Sequence, residues 1–222
     1  WLDLMFTQSA ATVPIGFLTS AEFTNRYLGD ASFVDTIYRA FFDRLASPGE
    51  LGTWLPQLAQ GRLREMVIWD VVKGAEFKQL ADLFGVLALS ASDEAAYGIR
   101  AFTERFYTVV LVRYPDPAGF NGWVDALTDG SYSGSDIARG FFLSPEYVSQ
   151  NKSDSLFLDD CYQAYFDRAA DPGGKQGWLD LIAQGMSREQ VLAGFSGSQE
   201  FIVLAESYGI RPFAGYGSAR VA

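Results

Sequence analysis

The feature that most constrains this chain is a segment that occurs three times, as SPGELGTW at Ser47–Trp54, DPAGFNGW at Asp116–Trp123 and DPGGKQGW at Asp171–Trp178. In each copy a tyrosine stands sixteen residues before the tryptophan (Tyr38, Tyr107, Tyr162) and an arginine ten residues before it (Arg44, Arg113, Arg168). A unit that recurs with fixed internal spacing is a supersecondary element that buries its apolar face against its neighbours. Around these markers the apolar residues recur at helical spacing, as in Phe33, Ile37, Tyr38 and Phe41,. The chain is therefore expected to be all-α, with tandem helical modules of about four short helices each packed into one array.

The helix ends are written in capping residues. Ser47-Pro48-Gly49-Glu50 reads as a capping box, with Ser47 as N-cap, Pro48 in the first turn and Glu50 three residues after the cap,. Asp116 and Asp171 take the place of Ser47 in the other copies. They also resemble a calcium loop, aided by Asn121, but serine is a weak metal ligand and a good cap, so the cap is the favoured reading. No cofactor is expected, and calcium is the only one the residues suggest. Module one is read as 33–85, module two as 102–151 and module three as 152–210. Residues 1–32 match the back half of a module and point to a piece of a longer protein. The stretch 86–101 has no counterpart between modules two and three and is read as an insertion, either an extra helical turn or a hinge. Residues 211–222 read as an extended tail.

The recurring side chains have structural readings. Trp54, Trp123 and Trp178 share a helix face with Leu58, Leu127 and Ile182 and are expected in the core, against the alternative of sugar-stacking platforms,. The arginines at the ends of the first helices suit the negative end of the helix dipole. Glu76, Glu146 and Glu200 open the fourth helices, and Arg44, Arg113 and Arg168 are expected to pair with them, as Arg168 with Glu200. Tyr114, Phe120, Tyr132 and Tyr216 have no periodic partner and are read as candidate exposed contacts.

Composition narrows the function. A formal charge of −10 lacks the basic footprint that phosphate backbones require, so no nucleic-acid partner is expected,. Histidine is absent, which removes the commonest general base and zinc ligand,. The lone Cys161 is read as buried and inert. Asp159 and Asp160 are adjacent, so a helix points them apart and they are unsuited to joint acid–base work. No apolar run is long enough to span a bilayer. A non-enzyme is expected, with a carboxylate-based hydrolase as a weak alternative.

The pattern R-x-x-D-P-x-G-x-x-x-W followed by G-F-x-x-S-x-E-F/Y, seen in RYPDPAGFNGW with GFFLSPEY and in RAADPGGKQGW with GFSGSQEF, resembles the bacterial family known as domain of unknown function 4214. Module one departs from it with Ser47 for Asp and Val71 for Phe. The resemblance implies a helical segment of secreted or surface proteins, including S-layer and adhesin-like chains, and transfers no catalytic residue. The expectation is an extracellular, cell-surface or periplasmic module for assembly or glycan attachment, its partner a surface protein or polysaccharide. The alternative is a structural subunit docked on a membrane complex or filament.

Overall fold

The computed structural model describes residues 9–26 and 29–216, and among these all regular structure is helical. The front of the half-module and residues 217–222 of the tail lie outside the described residues. In chain order the helices are α1 (Thr12–Leu18), α2 (Ala21–Thr24), α3 (Asp30–Phe42), α4 (Pro48–Ala59), α5 (Arg64–Lys73), α6 (Ala75–Leu83) and α7 (Ala91–Val110). They continue as α8 (Pro117–Thr128), α9 (Gly134–Phe142), α10 (Pro145–Ser149), α11 (Asp154–Phe166), α12 (Pro172–Ala183), α13 (Arg188–Ser196) and α14 (Gln199–Ser207). The second helices start at the expected caps. Ser47 and Glu50 close a reciprocal capping box, while Asp116 and Asp171 accept the N–H of Gly119 and Gly174. Each of the three first helices is followed by a residue in the left-handed region just before the arginine: Asp43, Val112 and Asp167. That residue ends the helix and turns the arginine back across it.

The chain divides into two compact units between Tyr97 and Gly98. Each has its own apolar core. Phe33, Ile37, Val67 and Phe77 centre the first, and Phe102, Phe106, Tyr165 and Phe201 the second. The two units follow one plan, because residues of the first recur 124 positions later in the second: Trp54 and Trp178, Phe77 and Phe201, Leu87 and Arg211. Both close in the same way. The first N–H groups of a helix have no partner inside it. In the first unit Ala10 and Ala11, at the start of α1, donate to the carbonyls of Leu87 and Ala88 at 2.7 and 3.2 Å. In the second, Gly134 and Ser135 at the start of α9 donate to Arg211 and Pro212, both at 2.8 Å. The segment after the last helix of a unit thus caps the third helix of the preceding module. The tail is held by its backbone, and Phe213 and Tyr216 pack edge to face on each other.

In the stretch read as an insertion, 86–101, the structure shows helix from Ala91 onward, in line with the first of its two readings. Ser90 and Asp93 form a reciprocal pair, Ser90 N–H to the carboxylate at 2.8 Å and Asp93 N–H to the Ser90 hydroxyl at 3.2 Å. This cap starts α7 at Ala91, so the first helix of module two begins there and not at Phe102, and the extra residues are helix. Gly29 and Ser153, at the place of Gly98, are the N-caps of α3 and α11. Only in module two does helix continue upstream through this position, and there Gly98 meets the backbone of Tyr208. A Cβ on Gly98 would lie 2.2 Å from the Tyr208 carbonyl oxygen, and the Tyr208 ring packs on Phe102.

Within the second unit, Arg105 of α7 joins the modules. Its guanidinium donates to Asp167 at 2.8 Å, to the Ala164 carbonyl at 3.4 Å and to the Gln163 carbonyl, all at the C-terminus of α11. A cation there satisfies carbonyls that the helix leaves open and meets the negative end of its dipole.

Two glycines test this packing. Gly98→Ala is expected to destabilise the second unit by about 1–3 kcal/mol, because backbone must move. Gly177→Ala, in α12 with nothing near its Cβ position, is expected to stabilise by about 0.5–1 kcal/mol through helix propensity. Urea unfolding of both variants checks the two signs, and a neutral Gly98→Ala would contradict the close approach.

Candidate functional site

The three tyrosine–arginine–tryptophan sets form three copies of one polar cluster. In module one the Trp54 indole N–H donates to the Tyr38 hydroxyl at 3.1 Å. In the other two modules Trp123 and Trp178 take the same place beside Tyr107 and Tyr162. The guanidiniums of Arg44, Arg113 and Arg168 lie over the rings of Tyr38, Tyr107 and Tyr162 at 5.0, 5.1 and 5.1 Å from the centroids, within range of a cation–π contact,. Each also donates to the carbonyl of the next residue: Leu45, Tyr114 and Ala169.

Each arginine then forks onto the glutamate of the fourth helix. The pairs are Arg44 with Glu76 at 3.0 and 2.6 Å, Arg113 with Glu146 at 2.7 and 2.9 Å, and Arg168 with Glu200 at 2.5 and 3.0 Å. Two parallel N–H···O bonds fix the orientation of both side chains. A second carboxylate comes from the start of the second helix, and modules differ in how they supply it. In module one Glu50 of the capping box gives both oxygens to Arg44, at 2.8 and 2.9 Å. In modules two and three the cap itself serves, Asp116 at 3.8 Å from Arg113 and Asp171 at 3.4 Å from Arg168. Glycine then replaces Glu50, and a Cβ on Gly119 or Gly174 would sit 2.4 Å from the Tyr107 or Tyr162 hydroxyl. Ser–Glu and Asp–Gly are thus two answers to the same geometry.

The tryptophans are half-buried, at the rim of the core rather than inside it. Trp123 and Trp178 press the benzo edge of the indole against Gly140 and Gly194, where a Cβ would approach it to 2.7 and 2.5 Å. Module one has Asp70 at this position, and Asp70 pairs with Arg62 at 2.8 Å and accepts the Tyr97 hydroxyl at 3.1 Å.

Among the candidate exposed contacts, Phe120 is a correction, because its side chain is fully buried (0% exposed). With Val124 and Leu127 it forms the inward stripe of α8 at positions i, i+4 and i+7,. Its counterparts are Leu51 and Lys175, so the absence of a matching aromatic concealed a core position. Tyr132 is 46% exposed, beside Trp123 at 5.8 Å. Tyr114 is half-buried. Tyr216 is also half-buried, and its hydroxyl donates to Glu206. Asp159 and Asp160 do diverge, to Lys175 at 2.7 Å and to Tyr147 and Lys152 at 2.7 and 2.5 Å. Cys161 is buried, and burial pushes its thiol well above the ordinary value. Among the described residues no group of three or more metal-ligating side chains comes together.

One group of exposed apolar residues was not singled out from sequence. Leu83, Phe84 and Leu87 are 78%, 72% and 63% exposed within five consecutive positions at the end of α6. Ser207, Tyr208 and Arg211 occupy the corresponding places in the second unit. Setting the copies side by side would have revealed this exchange of polar for apolar residues.

A family model described as Domain of unknown function (DUF4214) matches residues 15–81, 86–151 and 144–205, so the chain belongs to that family. No curated protein and no solved structure matches it. The second match takes in the start of α7, in agreement with the helix that Ser90 caps.

The clusters make stability depend on pH. Hydrogen bonds from Arg44, and then from the Ser47 backbone, hold the Glu50 carboxyl at about 2 in spite of partial burial. Arg113 and Arg168 hold Glu146 and Glu200 below their ordinary value. Folded values below unfolded ones mean stabilisation that is complete above the unfolded value and is lost as pH falls. The urea midpoint is expected to stay flat down to about pH 5 and to fall between about pH 4.5 and about pH 2. Arg44→Met should flatten that fall, and an unchanged pH profile would contradict the assignment.

Proposed function

We propose that this member of the family is a non-catalytic assembly module of an extracellular or cell-surface bacterial protein. One observation carries the reading. The polar groups that recur in all three modules are spent on each other, whereas a cluster of large apolar side chains, Leu83, Phe84 and Leu87, stands in solvent. Large apolar side chains exposed together within one short stretch suit contact with another protein. The comparison between units supports this. Tyr208, the counterpart of Phe84, packs on Phe102, whereas Phe84 is left for a surface outside its own unit. No helix among the described residues is long and apolar enough to cross a membrane, so the surface attachment in this reading runs through other proteins or other parts of the polypeptide.

Glycan attachment is a second reading, and Tyr132 supports it. Its ring lies beside Trp123 with about half its surface free, and such a pair of flat rings suits stacking on a sugar. A glycan array probed with and without calcium should give a signal that Tyr132→Ala removes. Silence in both conditions would sink this version.

The assembly reading is tested by sedimentation of the intact chain over a range of concentrations. The wild type is expected to associate, and Leu83→Asp with Phe84→Asp to stay monomeric with unchanged helical circular dichroism. A wild type that remains monomeric and binds no surface protein of its source cell would contradict it.

A further inference from the structure

The two units follow one plan, yet among the described residues one groove is filled in the first and open in the second. In the first unit the third helices α1 and α5 pack side by side, and the start of α7 lies along them. Asp93 accepts from the Ser9 hydroxyl at 2.5 Å, Glu94 pairs with Lys73, and the Tyr97 ring packs on Trp69 at 6.3 Å. A capped helix with an aromatic residue seven positions after its Ser90 cap therefore occupies this groove.

The corresponding helices of the second unit, α9 and α13, pack in the same way, but among the described residues no helix lies in the groove beside them. It measures about 500 Å3 and is lined by Asp136, Arg139, Leu192, Ala193 and Gly197, with Phe213 at one end. Ala193 stands where the first unit has Trp69, and Gly197 where it has Lys73. The loss of the indole and of the long amine leaves a hollow over the Leu192 position. Phe213, the counterpart of Leu89, reaches the groove as Leu89 reaches the first core. Beyond this point Ala214 and Gly217 replace Ser90 and Asp93, so the capping pair that starts α7 is missing from the sequence.

The electrostatics are exchanged rather than lost. In the first unit the carboxylate arrives on the incoming helix, and the groove offers the hydroxyls of Ser9 and Thr12. In the second, Asp136 replaces Thr12, so the groove supplies the carboxylate, already accepting the Ser133 hydroxyl at 2.5 Å. An incoming helix that brought its own aspartate would meet Asp136 as a like charge. A first turn that offers hydroxyl and backbone N–H donors would meet it favourably, since the positive end of a helix dipole attracts carboxylates. Glu189, paired with Arg139 across the groove, adds to the same preference.

We propose that the groove between α9 and α13 is the docking site for an amphipathic helix of a partner protein, capped by Ser or Thr and carrying an aromatic side chain seven residues after the cap. The aromatic ring fills the hollow above Ala193, and the first turn donates to Asp136. This is helix-in-groove recognition, with the affinity coming from one buried anchor and the orientation from the capped end. The inference rests on the assembly reading only in requiring a partner. It concerns the second unit, whereas the test of that reading concerns Leu83 and Phe84 in the first, so the two fail separately.

The probe is a fluorescein-labelled peptide with the sequence of residues 89–100 carrying Asp93→Ser, titrated with the intact protein and followed by anisotropy. Saturable binding is expected, weakened at least tenfold by Ala193→Trp, which replaces the missing indole, and by Tyr97→Ala in the peptide. Ala193 is exposed, so the substitution should leave circular dichroism unchanged, and Ala193→Glu provides a second block of different chemistry. No saturable binding, or binding indifferent to both Ala193 variants, would overturn the proposal. Self-association of the protein that Ala193→Trp abolishes, without peptide binding, would assign the groove to a second copy of this chain and overturn it as well.

Discussion

Three helices of each module meet at one guanidinium. Arg44, Arg113 and Arg168 leave the end of the first helix, lie on a tyrosine of that helix, touch a carboxylate at the start of the second and fork onto a glutamate at the start of the fourth. In module one the tyrosine in turn receives the indole N–H from the second helix, and in modules two and three the tryptophan packs on a glycine of the third. The order of contacts explains why the spacing of Tyr, Arg and Trp is kept in all three copies. A shift of one residue turns a side chain by about 100° around a helix, which removes it from the cluster. The energy of each pair is small, since the groups are partly exposed and exposed ion pairs contribute roughly 0–1 kcal/mol. Their effect is on direction: bidentate and stacked contacts select one arrangement of helices among those that the apolar core would accept.

How much of this could be read from sequence depended on whether a feature was local. The caps at Ser47, Asp116 and Asp171 are local, and their chemistry predicts where α4, α8 and α12 begin. The Arg168–Glu200 pairing was also within reach, because two charged residues recurring at fixed positions in every copy point to each other. Phe120 was not, because its counterparts are Leu51 and Lys175, and comparison of residue types hid a core position of module two. At the place of Phe120, Lys175 of module three reaches Asp159 instead of entering the core. The closure of each unit by backbone bonds to Leu87, Ala88, Arg211 and Pro212 leaves no trace in side-chain identity, since any non-proline residue supplies the N–H and every residue the carbonyl,. The start of α7 was legible in Ser90 and Asp93 as a capped helical turn, with a hinge as the alternative, because the third module has no matching helical turns to decide between them.

The copies share what folds the module and differ at its surface. Trp69 and Ala193, Phe84 and Tyr208, and Thr12 and Asp136 are pairs at equivalent places with unlike side chains. Among the described residues the first unit fills its groove with its own helix and leaves apolar residues at the end of α6 exposed, whereas the second packs Tyr208 on Phe102 after α14 and leaves the groove open. Divergence of this kind, laid over a shared framework, gives one chain two unlike surfaces.

The account stands on the coupling between the arginine and the glutamate within a module. A double-mutant cycle in module three, with Arg168→Met and Glu200→Gln alone and together, measures it by urea unfolding. The account predicts that the two losses are not additive and that the coupling is about 0.5 kcal/mol or more. Losses that add to within about 0.3 kcal/mol would show that the two side chains act independently and that the module is held by its core alone.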